Sequence, residues 1–170
     1  MGRQLLLVMA FAPLTLAQNT QIGGMIGFGR FWKYNWNSAT YVVAGGEACA
    51  RCGGRYGFFV DYNHWSRRGT GTGNAPAISL DLASLGLRIQ GKDERVRPFF
   101  DVGLAVGRKH RDSLIYPGRQ QSTGLVGGGL GFGAAISASE HWYVRPFGRV
   151  FLLSTNENDA IAGASVGYRF

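Results

Sequence analysis

Ala162-Gly163-Ala164-Ser165-Val166-Gly167-Tyr168-Arg169-Phe170 is the stretch on which the reading of this chain turns. Its even positions read Ala, Ala, Val, Tyr, Phe, and its odd positions read Gly, Ser, Gly, Arg. A period of two belongs to a β-strand, whose successive side chains point to opposite faces. One face here is apolar and ends in aromatic rings; the other is small or charged. A water-soluble sandwich would turn the apolar face inward. A barrel wall in a membrane turns it outward to lipid and keeps the small and charged face for the lumen.

The same alternation recurs upstream. Phe100, Val102, Leu104 and Val106 alternate with Asp101, Gly103, Ala105 and Gly107. Val126, Leu130, Phe132, Ala134 and Ile136 share one face, opposite Gly127, Gly129, Gly131 and Gly133. Phe58, Val60 and Tyr62 alternate with Phe59, Asp61 and Asn63. Strands are expected over about 22–31, 39–48, 55–65, 77–90, 96–108, 123–136, 142–153 and 160–170. Each has the ten or so residues that a tilted strand needs to cross a bilayer. The expected fold class is therefore all-β: an eight-stranded antiparallel up-and-down transmembrane β-barrel.

The connections alternate in length. Those at 49–54, 91–95 and 137–140 are short, those at 66–76 and 108–122 are long, and 32–38 is intermediate. Short periplasmic turns facing longer outer loops put both termini on the periplasmic side; only the last outer loop, 154–159, is short. The pairs Arg97-Pro98 and Arg145-Pro146 each follow a short turn, where a strand tolerates proline. One irregularity stands out. The apolar phase shifts from Ile78, Leu80, Leu82 to Leu85, Leu87, Ile89, which predicts a β-bulge near Ala83-Ser84.

Composition agrees with a wall of strands. Glycine is 27 of 170 residues, aromatics are 13% and charged residues only 16%, a mixture suited to closely approaching backbones covered by rings. A length of 170 residues suits one domain. The first residues are read as a leader: Met1-Gly2-Arg3-Gln4 is short and basic, Leu5 to Leu16 is nearly all apolar, and Thr15-Leu16-Ala17 supplies small cleavage residues. Residues 1–17 are expected to be a signal peptide and 18–170 the barrel domain. The stretch is too short for a spanning helix.

At this point the chain resembles the family of small outer-membrane barrels that includes the membrane domain of OmpA, OmpX and OmpW. The resemblance rests on the leader, the Gly/aromatic alternation and the ending Gly167-Tyr168-Arg169-Phe170. It implies export to the outer membrane of a Gram-negative cell, with Tyr168 and Phe170 as the signal read by the insertion machinery. Periplasmic chaperones and that machinery are the implied assembly partners, and outer-membrane lipid and lipopolysaccharide the surroundings. A monomer with no cofactor, no metal and no nucleic-acid partner is expected. Fold does not fix activity. The expected role is structural or surface-interacting and not enzymatic, with a narrow solute pore or a lipid A hydrolase as alternatives.

Four groups of residues are candidates for that role. Glu47, Asp61, Arg88, Asp101, Arg145, Arg149 and Arg169 fall on lumen-facing positions, and an eight-stranded interior is just wide enough to be filled by side chains. They are expected to form a charge network that plugs the lumen; a gated channel is the competing reading. The glycine row of 127–133 would make room for the long side chains of the strand beside it. Cys49 and Cys52 are too few for a zinc site and are expected to close a disulfide in a turn. Arg67, Arg68, Arg108, Lys109 and Arg111 are expected in outer loops facing lipopolysaccharide phosphate, since arginine grips phosphate bidentately. Trp32, Tyr34 and Trp36 suit an outer aromatic belt.

His64-Trp65-Ser66 is the one catalytic-looking cluster. It resembles the His-x-Ser of barrel lipid A deacylases, in which the histidine is base to a serine nucleophile. Residues i and i+2 of a strand share a face, so the pair is geometrically possible. Arg67 stands where that family has Asn, and the sequence places no acid to orient the imidazole.

Overall fold

The computed structural model describes residues 19–32, 40–67, 78–93, 95–112, 120–154 and 158–170. Eight strands follow one another: β1 Gln21–Trp32, β2 Thr40–Ala50, β3 Tyr56–Arg67, β4 Ile78–Gln90, β5 Val96–Asp112, β6 Gln120–Ser137, β7 Trp142–Leu153 and β8 Asn158–Arg169. Each pairs antiparallel with its neighbours in the chain, and β8 returns to pair with β1, so the sheet closes into a barrel without an edge in its wall. Closure pairs each strand with a neighbour on both sides, the condition for strands that cross a membrane. Where β8 meets β1, glycine faces glycine at Gly23↔Gly167 and Gly27↔Gly163. A Cβ on Gly27 would lie 2.6 Å from the Ala162 carbonyl oxygen, so the seam is close enough to require them.

The two faces separate as a membrane wall demands. Phe28 (66% exposed), Leu104 (66%) and Phe132 (63%) point outward with the valines, leucines and isoleucines of every second position. The interior is filled in two storeys. Toward the outer end Trp65, Leu80, Leu82, Phe151, Leu125 and Val43 form a buried apolar layer. Below it lie the charged side chains described in the next section.

This layering corrects the reading of β4. Its register runs unbroken from Tyr56↔Ile89 to Arg67↔Ile78 on one side and from Ile78↔Arg111 to Gln90↔Phe99 on the other, so there is no bulge at Ala83-Ser84. Leu80 and Leu82 are buried in the lumen, whereas Leu85, Leu87 and Ile89 face lipid. The apolar residues change face because the outer half of the lumen is itself apolar.

Short turns at 51–55, 91–95 and 138–141 mark one end, with both termini of the strand array. At that end Cys49 and Cys52 are joined as a disulfide. The turn they close is drawn into the mouth, where Gln21 and Gln90 both donate from Nε2 to the Cys52 carbonyl, at 2.8 and 3.1 Å. The leader and most of the residues at the opposite end, including Tyr34, Trp36 and Arg68, lie outside the described residues.

Candidate functional site: the filled lumen and the outer rim

Strand parity carries five strands' charges into one space. Glu47 (β2), Asp61 (β3), Arg88 (β4), Asp101 (β5) and Arg145 and Arg149 (β7) are each 6% exposed or less. Arg88 is the hub. Its Nη1 and Nη2 donate to the two Glu47 oxygens at 2.6 and 3.0 Å, and its Nε and Nη2 donate to the two Asp101 oxygens at 2.7 and 2.8 Å. Such forked contacts are the strongest arginine makes. Arg149 crosses the lumen to Asp61, donates to Asp101 from Nη2 at 3.1 Å, and stands 3.5 Å from Glu47. Arg145 Nη1 lies 2.6 Å from Glu47 Oε1, a contact of charges without hydrogen-bond alignment.

The remaining acceptor positions are also occupied. Asp61 Oδ1 accepts from Ser84 Oγ at 2.6 Å and from Asn63 Nδ2 at 2.7 Å. Aromatic faces line the cations: the Arg88 guanidinium is 4.5 Å from the Phe99 ring centre and that of Arg149 is 5.3 Å from Phe59. Three acids meet three arginines, so the network sums to zero charge. The glycines of β6 make space for it: Gly131 lies opposite Arg149 and Gly129 opposite Phe151. A Cβ on Gly131 would stand 3.2 Å from both Arg149 Nε and the Asp101 side chain.

The outer rim holds a second polar group, on the lipid side of the wall. Tyr62 and His64 of β3 and Asp81 of β4 face outward, and His64 lies directly opposite Asp81 in register. Asp81 Oδ1 accepts from Tyr62 Oη at 2.5 Å and contacts His64 Nδ1 at 2.8 Å. This corrects the sequence reading that no acid orients His64. Ser66 shares the same face, opposite Ser79. Arg108 and His110 of β5 continue the row, opposite Asp81 and Ser79.

Neisserial surface protein A superposes with a TM-score of 0.74 at 15% identity, over 89% of this chain and 97% of that one. The chain has the fold of the small outer-membrane β-barrels. Ail, the attachment invasion locus protein of Yersinia pestis, matches this barrel with a TM-score of 0.66 at 13% identity, over 89% and 97% of the two chains. A second Ail structure, at 0.61 and 13% over 90% and 99%, is in complex with the heparin analogue sucrose octasulfate. The N-terminal β-barrel domain of Pseudomonas aeruginosa OprF matches with 0.64 and 17%, over 90% and 98%. No protein-family model and no curated sequence matches the chain.

Within this outer-membrane barrel six of the seven lumen charges read from the sequence come together. Arg169 does not join them: it faces inward but stands partly exposed at the mouth, one residue from the end of the wall. Arg67, Arg108, Lys109 and Arg111 belong to strand ends, not to loops. Arg108 faces outward, whereas Lys109 takes the opposite parity. Tyr168 and Phe170 meet edge to face at the short-turn rim with ring centres 5.1 Å apart, and Trp142 meets Tyr168 edge to face at 5.4 Å. Asp81 was missed because an acid at an outward position reads as an exception to the apolar face. Its signal was the polar Ser79 two residues before it on the same face. Asp159, fully buried on β8, carries no signal in its local sequence.

Proposed function

We propose that this protein is a closed barrel of the Gram-negative outer membrane that serves as a structural and surface-contacting element and not as a pore. One observation carries the reading. The network of Arg88, Arg149, Glu47, Asp61 and Asp101 pairs its charges across the whole lumen and leaves a central cavity of about 10 Å³ beside Phe59, Ser84 and Gly131. That is room for one water at most. An ion would have to break several charge-assisted bonds to pass. The purified protein in planar bilayers should give no reproducible conductance; a steady single-channel current from the wild type would overturn the reading.

The surface role rests on the rim. Arg67, Arg108, Lys109 and Arg111 stand at the ends of β3 and β5, with Arg108 on the outward face, and a basic group at a membrane surface gains about 1 kcal/mol from anionic headgroups such as lipopolysaccharide phosphate. Ail, with the same fold, has been solved with a polyanion, in keeping with an outer end that meets anions. Arg108→Ala combined with Lys109→Ala should weaken retention of the folded barrel by lipopolysaccharide micelles, and more so at low salt.

A second reading is favoured by a single contact, that between Asp81 and His64. A carboxylate on Nδ1 sets the tautomer and leaves Nε2 to act as a base toward Ser66 on the same outward face. This is the arrangement an acyl-ester hydrolase of outer-leaflet lipid would use. Mass spectrometry of lipid A from cells expressing the wild type and Ser66→Ala decides it: identical lipid A in both discards the hydrolase.

A further inference from the structure

The acids and arginines of the lumen network cancel, but two further cations face inward below it, at the short-turn mouth. Arg97 near the start of β5 and Arg169 at the end of β8 share the parity of the network residues, and both are half-buried. Main chain braces Arg97: its Nη1 donates to the Gly53 carbonyl at 3.1 Å and its Nε to the Asp93 carbonyl at 3.0 Å. Those oxygens orient the guanidinium without neutralising it. Arg97 and Tyr143 are the described side chains that act on the charge of Arg169, so one cation stands beside another. Among the described residues, neither meets a carboxylate. The mouth itself is half stopped. The β2–β3 turn fills it from the side of β1 to β4, where Gln21 and Gln90 hold the Cys52 carbonyl. The side from β5 round to β8 is faced by Arg97, Arg169 and Tyr143.

Tyr143 supplies an independent observation. It is 1% exposed, and its ring lies across β8, where a Cβ on Gly167 would stand 2.3 Å from the hydroxyl oxygen. That hydroxyl and the Arg169 Nε are both buried without a hydrogen-bond partner. Buried donors are rarely left so, and orphaned donors beside two adjacent cations describe a seat for an anion. We propose that the short-turn mouth is a phosphate site, in which Arg97 and Arg169 grip a phosphate dianion and the Tyr143 hydroxyl donates to it. Two guanidiniums match the charge of such a group, which is close to two at neutral pH and is spread over three acceptor oxygens. Each guanidinium also presents the planar fork that fits phosphate. Both cations point into the mouth and not onto the lipid-facing wall. The site therefore takes a water-borne phosphate, free or as a monoester, and not a bilayer headgroup.

The test uses the full chain folded in phosphate-free detergent micelles, with inorganic phosphate as the probe. Isothermal titration at neutral pH and constant ionic strength should show saturable binding of one phosphate per barrel. Phosphate should also raise the urea midpoint, as a ligand of the folded state must. Arg169→Gln should lower the affinity about tenfold, the scale of one charge-assisted contact. Arg169→Lys, which keeps the charge and loses the fork, should fall between the two. Tyr143→Phe should weaken binding severalfold while heat-modifiable gel mobility stays intact. Arg55→Gln, at an exposed cation of the same rim, should leave binding unchanged. Equal losses in Arg55→Gln and Arg169→Gln, or acetate bound as well as phosphate, would reveal unspecific attraction to a basic rim and overturn the proposal. A folded Arg169→Gln that binds like the wild type would overturn it too, as would a wild type that shows no saturable binding up to millimolar phosphate. Binding of short-chain phosphatidic acid without binding of inorganic phosphate would assign the cations to a lipid headgroup, with the same result.

Discussion

Arg149 contacts three acids on three different strands, Asp61, Asp101 and Glu47. Removing it leaves carboxylates stranded where little water reaches. Breaking a buried pair in this way costs about 3–5 kcal/mol, so Arg149→Ala should markedly lower the urea midpoint of the detergent-folded barrel. Adding Asp61→Ala to that background should recover part of the loss, because it withdraws one stranded charge. A hydrated channel would respond otherwise, with stability kept and ion selectivity altered. Asp93, in the exposed β4–β5 turn, allows a pH test outside the membrane. Its carboxylate accepts from the amides of Arg95 (2.8 Å) and Val96 (3.2 Å), and these bonds hold its pKa below the ordinary value of 3.8. The folded-state value is depressed, so its contribution is present above the unfolded value and lost as pH falls through the lowered one. Asp93→Ala should therefore unfold more readily than wild type at neutral pH, and the difference should close in acid. Parity alone told which charges face inward at this scale. It could not tell that Arg169, with the right parity, lies too near the strand end to reach the network.

The strands were legible where each face kept one character, as in β3 and β5, and misleading where the lumen changed character with depth. β4 is the example: Leu80 and Leu82 fill the apolar storey from inside while Leu87 and Ile89 meet lipid from outside, and a single phase cannot describe both. β5 shows that both faces of one strand can be intolerant for different reasons. Val102→Arg puts a charge at lipid depth and should cost about 2–4 kcal/mol near the midplane, seen as failed insertion into vesicles. At Gly103 an added Cβ would lie 2.4 Å from the Leu85 carbonyl oxygen. Gly103→Ala should thus insert but unfold at lower urea, by about 1–3 kcal/mol of overpacking strain. Equal tolerance at both positions would mean that the assignment of the two faces is wrong.

For the molecule as a whole, the last nine residues carried most of the information, because a wall of eight similar strands repeats one pattern. Loop placement and the outward Asp81–His64 pair were not readable, since they depend on which residues register brings opposite each other across strands. The terminal rings bear on assembly. Tyr168 and Phe170 pack at the short-turn rim beside Trp142 and His141, away from the buried core cluster. Deleting Phe170 should reduce the folded fraction in cells clearly and refolding into detergent only slightly; equal losses in both would assign the ring a packing role.

The six network charges belong to β2, β3, β4, β5 and β7. None belongs to β1 or β8, the two strands whose pairing closes the barrel. The strands away from that seam hold every cation and anion of the network, with Arg149 of β7 reaching Asp61 of β3 across the lumen. The seam that closes the wall sets Gly23 against Gly167 and Gly27 against Gly163 and contains none of the six network charges. Every pair of the network can therefore be made by strands other than the two that close the wall.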